Sequence, residues 1–157
     1  MAEYTYSDVS NGAISVDVSD DDTIVAKVFG AGAENSVSSA GDGGYILAEI
    51  DTSNIDTLNV YPGESGSKPA GGDGFYAGGD GASDPDSFED ASGGGGSTTI
   101  LDGGGAELLH ADAGGGGAVS FGDADGTEYQ LGGGGGARGG TGGSASDGDV
   151  NKDGQDA

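Results

Sequence analysis

Gly93-Gly94-Gly95-Gly96-Ser97-Thr98-Thr99-Ile100-Leu101 joins a run of four glycines directly to a β-branched, apolar segment. How that junction is read decides the fold. Similar junctions follow: glycine runs recur at residues 103–105, 114–117 and 132–136, separated by Glu107-Leu108-Leu109-His110, Ala118-Val119-Ser120-Phe121 and Tyr129-Gln130-Leu131. Free glycine runs behave as flexible linkers, but a linker would not be punctuated by Ile100-Leu101, Leu108-Leu109, Val119 and Phe121. Collagen is excluded because the runs lack the Gly-X-Y period. The remaining arrangement is a set of extended glycine segments in polyproline-II geometry, three residues per turn, packed side by side with their amides bonded to neighbouring segments. Only a residue without Cβ lets backbones approach so closely. Ordering glycine is entropically costly, so such packing needs several runs and a scaffold to clamp their ends. Packed segments are therefore expected over a disordered linker.

The scaffold is written upstream. Residues 13–18 (A-I-S-V-D-V) alternate apolar and polar as a half-buried strand does, and the turn Ser19-Asp20-Asp21-Asp22 follows. Residues 23–29 (T-I-V-A-K-V-F) place Ile24, Ala26 and Val28 on one face and Val25, Lys27 and Phe29 on the other. These two strands are expected to form a hairpin. Gly30-Ala31-Gly32 ends it, Gly43-Gly44 introduces a third strand at residues 45–50, and residues 57–61 make a fourth, closed by Pro62-Gly63. No segment sustains a helical period, and glycine costs about 1 kcal/mol against alanine in a helix. The expected fold is all-β: a small β-sandwich scaffold whose glycine-rich loops form packed polyproline-II-type (polyglycine) helices, with essentially no α-helix. Residues 1–12 read as an N-terminal arm, 13–143 as the glycine-rich domain and 144–157 as an acidic C-terminal tail.

Composition bounds the rest. Glycine fills 38 of 157 positions and hydrophobic residues only 32%, so one domain with a small core is the limit. Four basic residues face 28 acidic ones, a formal charge of −24, which opposes compaction unless salt screens it. Direct nucleic-acid binding needs a basic footprint, whereas Lys27, Lys68, Arg138 and Lys152 are scattered singly. There is no cysteine, hence no disulfide or thiolate chemistry. Neither a secretion signal nor a membrane span is expected, because Met1-Ala2-Glu3-Tyr4 opens without a basic stretch or apolar run and no apolar run approaches ~18 residues.

The acids are mostly aspartate and spread along the whole chain, a composition that resembles proteins of salt-accumulating haloarchaea. The order of elements carries a second likeness. V-F-G-A-G (residues 28–32), G-D-G-G-Y-I-L-A-E-I (41–50), L-N-V-Y-P-G (58–63), G-G-D-G-F-Y-A-G-G-D-G-A (71–82), G-G-G-G-S-T-T-I-L (93–101), A-E-L-L-H-A-D-A-G-G-G-G (106–117) and L-G-G-G-G-G-A-R-G-G (131–140) follow one another. Over residues 13–143 this order resembles the glycine-rich domain of tailed-virus fibres and prokaryotic surface proteins, although Asp and Ala replace some of the family's glycines and the runs are shorter. The resemblance implies a β-scaffold beside a bundle of polyglycine helices. It also implies a non-enzymatic structural or adhesive role, in a virion component such as a capsid turret or decoration protein or a tail fibre or spike. A virion protein assembles in the host cytoplasm and leaves by lysis, which fits a chain without a secretion signal. The expected partners are further copies, as a trimer or pentamer, other virion structural proteins, and a host surface glycoprotein or glycan, with no membrane insertion. The alternative is a secreted or cell-surface adhesin or matrix protein of a halophilic archaeon.

Candidate chemistry is sparse. His110, the only histidine, reads as structural beside Leu108-Leu109, and no grouping of nucleophile, base and orienting residue stands out. Gly30-Ala31-Gly32 leads into no helix, so it does not read as a phosphate cradle. Asp149-Val150-Asn151-Lys152-Asp153-Gly154 copies the first half of a calcium loop, but the chain as given ends before the bidentate position-12 carboxylate. It reads first as a solvated acidic tail, with Asp149, Asn151 and Asp153 the only candidate ligands for a weakly held Ca²⁺. No other cofactor is expected beyond K⁺ or Na⁺ counter-ions. Asp123-Ala124-Asp125-Gly126 reads as a turn. Tyr45, Tyr61, Phe121 and Tyr129 are available to a small core, whereas Phe75, Tyr76 and Phe88 lie in Gly/Asp-rich loops. Loop aromatics are common recognition anchors, so Phe75, Tyr76 and Phe88 are the candidate contact residues. Arg138 joins them as a group able to receive carboxylates or carbonyls from a neighbour.

Overall fold

The computed structural model describes residues 12–33, 40–83, 90–117, 119–122, 128–131, 134–136 and 151–152. Among them there is no helix, and the strands are β1 (Ile14–Asp17), β2 (Thr23–Phe29), β3 (Tyr45–Asp51), β4 (Thr57–Tyr61), β5 (Thr98–Asp102), β6 (Glu107–Ala111), β7 (Val119–Gly122), β8 (Glu128–Leu131) and β9 (Asn151–Lys152). The fold is all-β. Strands β1, β4, β5 and β6 form one antiparallel sheet in the order β1-β4-β5-β6, β2 and β3 form a second, and β7-β8-β9 a third in which β9 runs parallel to β8.

The expected β1–β2 hairpin is not formed. β1 pairs with β4 from Ile14↔Val60 to Asp17↔Thr57, and β2 pairs with β3 from Thr23↔Asp51 to Phe29↔Tyr45. Residues 18–22 instead cross between layers: Val18 N–H donates to Asp56 O (2.9 Å), Asp21 N–H to Val18 O (3.0 Å) and Thr52 N–H to Asp22 O (2.9 Å). The crossing explains the outcome. A two-stranded hairpin would set Val16 and Val18 on the same side of one sheet as Ile24, Ala26 and Val28, with nothing to cover them. Split between sheets, the two apolar faces cover each other, and Val16, Val18, Val28, Leu58, Ile100 and Ala111 form the buried core. Ile14, Ile24, Ala26, Ile46, Val60, Leu108 and Leu109 pack around it.

β1 and β3 end on the same device. Asp17 Oδ1 accepts from Ser19 N–H (3.0 Å) and Ser19 Oγ (2.7 Å), and Asp51 Oδ1 accepts from Ser53 N–H (3.0 Å) and Oγ (2.6 Å). The serine hydroxyls first, and then the backbone amides, hold both carboxyls below the ordinary aspartate range. A group whose folded pKa is depressed contributes stability above its unfolded pKa and loses it as pH falls through the folded value. The window therefore lies below about pH 4. Asp17→Asn/Asp51→Asn removes this titration, so thermal unfolding at pH 5 and pH 3, in equal high salt, is expected to show the gap between native and variant narrowing toward pH 3. A gap independent of pH would show that these turns do not prefer the charged form.

The glycine runs form a hydrogen-bonded array whose centre is the stretch at 93–96. Gly93 N–H donates to Ser67 O (2.8 Å), Gly94 to Gly79 O (2.9 Å), Gly95 to Gly114 O (2.9 Å) and Gly96 to Glu64 O (2.8 Å). The first and fourth amides reach one neighbouring segment at positions three apart, while the second and third reach two other segments. That is the three-residue period of a polyproline-II helix. Gly94 O in turn accepts from Gly72 N–H (2.8 Å) and Gly96 O from Ala31 N–H (3.3 Å). Neighbouring segments are tied to each other as well, through Gly114 N–H to Ala31 O (2.9 Å), Gly41 N–H to Gly115 O (2.8 Å), Gly116 N–H to Gly134 O (2.8 Å) and Gly79 N–H to Gly135 O (2.9 Å). Residues 91–97 and 134–136 are buried, so the bonds of the central run are shielded from solvent.

One run stays out of the array. Residues 103–105 make the β5–β6 turn, where Asp102 Oδ1 accepts from Gly104 N–H (2.9 Å) and Ala106 N–H (2.8 Å) and Gly105 adopts φ +90°. The adjoining carboxylate captures the amides that would otherwise seek neighbouring segments.

Candidate functional site

The β5–β6 pair and the loop at 74–76 bring together a polar chain and an aromatic cluster. Thr99 stands opposite His110 in the β5–β6 register, which puts Thr99 Oγ1 3.0 Å from His110 Nδ1. His110 Nε2 lies 2.8 Å from Asp112 Oδ1. Ser97 Oγ extends the chain at 3.4 Å from Thr99 Oγ1 and accepts from Tyr76 N–H at 3.1 Å. Among the described residues no buried side-chain polar atom lacks a partner.

The grouping of hydroxyl, imidazole and carboxylate, not anticipated from sequence, has the order of a nucleophile, base and orienter. Its exposure runs the wrong way for that chemistry. Thr99 is 0% exposed and the His110 side chain 6%, whereas Asp112 is 73% exposed. A nucleophile must reach its substrate, and here the hydroxyl is the sealed end. What the chain does is satisfy buried polar groups while locking the imidazole in place.

The imidazole supports the aromatics. Tyr76 packs edge-on to His110 (centroids 5.2 Å apart), Phe75 edge-on to Tyr76 (4.9 Å) and Tyr61 edge-on to Phe75 (5.1 Å), separations within the favourable range for such pairs. Tyr76 Oη donates to Glu107 Oε2 (3.2 Å). Of the four rings Phe75 is the exposed one, at 39%. The structure thus places Phe75 and Tyr76 together and backs them with Tyr61 and His110. Phe88, Arg138, Asp149 and Asp153 lie outside the described residues, and Asn151 is in β9, with β8 beside it. No group of side chains able to hold a metal ion occurs among the described residues.

A second surface lies on the outer face of β2–β3. Val25, Phe29, Tyr45 and Leu47 are 57%, 63%, 54% and 57% exposed, and Phe29 and Tyr45 stack at 4.8 Å. Tyr45, available to the core by its sequence, is therefore outside it. Alternation separated the two faces of β2 without saying which is outward; that, and the large apolar groups its partner strand turns the same way, became visible only with the structure.

No family model matches the chain, and neither the curated proteins nor the solved structures include a significant match to it.

Proposed function

We propose that the protein is a non-enzymatic structural or adhesive surface component of a halophilic archaeal tailed-virus particle, a capsid turret or decoration protein or a tail fibre or spike subunit. The observation that carries this reading is the buried glycine array, in which backbone segments distant in sequence are cross-tied within a chain of formal charge −24. Such an interior holds a shape and leaves loops free to vary. The hydroxyl buried at the end of the Thr99–His110–Asp112 chain favours a structural over a catalytic reading. The aromatic cluster around Phe75 is the attachment point this reading favours, for a virion protein or a host glycan.

Two measurements test it. Purified particles analysed by mass spectrometry and antibody labelling are expected to contain the protein in stoichiometric amounts; recovery in the cell-surface fraction alone would favour the secreted adhesin instead. Particles carrying Phe75→Ser/Tyr76→Ser are expected to lose either subunit incorporation or host adsorption by at least about tenfold, the scale of one interface hot spot. Unchanged assembly and adsorption would remove the aromatic cluster from the contact.

A further inference from the structure

The outer face of β2–β3 has the chemistry of a contact between two copies of this chain. Its cross-strand rows are Thr23 with Asp51, Val25 with Glu49, Lys27 with Leu47, and Phe29 with Tyr45. Large apolar residues occupy both strands, and Val25, Phe29, Tyr45 and Leu47 are all more than half exposed. A strand apolar on both faces is the pattern of a layer covered on both sides. The core sheet covers one.

The charges on this face indicate what covers the other. Lys27 is one of only four basic residues in the chain, and it stands on the most apolar part of the molecule's described surface, one row from Glu49 on the opposite strand. Among the described residues neither side chain has an ion-pair partner. A partner that offers an apolar surface with a carboxylate for Lys27 and a cation for Glu49, at the same diagonal spacing, complements this face. The face itself meets that description, because an isologous contact pairs residue i of one copy with j of the other and j with i. A two-fold axis along the strands sets Phe29 against Tyr45 of the second copy, lays the Lys27 stem on its Leu47, and brings each Lys27 within one row of the other copy's Glu49.

We propose that this face mediates a two-fold self-association of the chain, with Lys27 and Glu49 exchanged between copies and Phe29, Tyr45, Leu47 and Val25 as its apolar centre. The strands are about 23 Å long at ~3.3 Å per residue, so the face alone covers well under the ~800 Å² per partner of a stable complex. The contact is weak, reversible and dependent on salt, since each copy carries −24. In an assembly of many copies such contacts act together.

Sedimentation velocity in high KCl, over a concentration series reaching several hundred micromolar, tests it on the whole chain. The native protein is expected to show a concentration-dependent dimer; Lys27→Glu and Glu49→Lys are each expected to weaken it by tenfold or more, and an equimolar mixture of the two variants to restore it, because the mixed pair regains both opposite-charge contacts. Both positions are exposed, and unchanged circular dichroism spectra verify that the variants are folded. A native chain that stays monomeric throughout the series overturns the proposal and leaves the face to an unlike partner. A dimer that both variants leave intact overturns it equally, by placing the interface elsewhere.

Discussion

Gly94→Ala is expected to lower the melting temperature by about 10 °C or more, on the scale of 2–4 °C per kcal/mol for a chain of this size, whereas Gly115→Ala in the same array leaves it unchanged or slightly higher. A Cβ at Gly94 would fall on the carbonyl oxygen of Gly135, with Gly136 N only 2.9 Å away. The surrounding segments cannot simply retreat, because Gly94 donates to Gly79, accepts from Gly72, and Gly79 itself donates to Gly135. Moving one segment breaks bonds among buried residues, and each buried backbone group left unpaired costs about 1–3 kcal/mol. Two such losses approach the whole stability of a marginal domain, about 5–15 kcal/mol. At Gly115 the nearest atoms to an added Cβ are Gly134 O at 3.7 Å and Gly136 N at 3.8 Å, ordinary contact distances. There the lower conformational freedom of alanine in the unfolded chain adds about 0.4–1 kcal/mol of stability. Thermal unfolding followed by circular dichroism at fixed high salt compares the two, and equal shifts would mean that the segments are not packed at backbone contact around Gly94.

Much of the secondary structure was legible because the alternation at Ile14–Asp17 and Thr23–Phe29 and the apolar and β-branched content of Thr57–Tyr61 mark strands. Alternation does not say which strand pairs with which. The short acidic connection at residues 19–22 looks like a hairpin turn, and only the need to cover both apolar faces, expressed through Val18 N–H to Asp56 O, sends β1 and β2 to different sheets. The glycine array was legible where runs are pure and obscure where they are not. Residues 63–82 enter it despite their Asp, Ser and Ala, because in a threefold helix some positions face outward: Glu64, Ser65, Asp73 and Asp80 are exposed while Gly66, Gly72 and Gly79 are buried. Asp73, Asp80, Ala70 and Ala77 thus lie on the solvent side of these segments, whereas Ala82 is buried. The site shows the same division. Phe75 and Tyr76 stand out as loop aromatics, but their contact with Tyr61 and His110 depends on the β4-β5-β6 order, which no local pattern encodes.

Salt is expected to decide whether this chain folds at all. With 28 acidic and four basic residues, pairwise repulsion in a body of about 15 Å radius of gyration sums to tens of kcal/mol before screening, at roughly 0.2 kcal/mol per pair for charges 20 Å apart in water. An expanded chain feels less of it, so the difference opposes folding. At 0.01 M salt the screening length of about 30 Å exceeds the molecule's radius and most pairs act, whereas at 1 M it is about 3 Å and only neighbours do. The opposing term is small: apart from the backbone array, the buried apolar cluster is built of Val16, Val18, Val28, Leu58, Ile100 and Ala111. A KCl titration followed by circular dichroism and light scattering is expected to pass from a coil at low salt to a cooperatively melting β and polyproline-II spectrum. The steep gain should come below about 0.5 M, where screening changes most. A slower rise above that would report the general strengthening of apolar burial by salt, and a stability that climbs evenly across the whole range would assign the dependence to burial rather than charge. Identical melting at 0.05 M and 2 M KCl would show that the carboxylates are held too far apart, or too well hydrated, for their mutual repulsion to govern the fold.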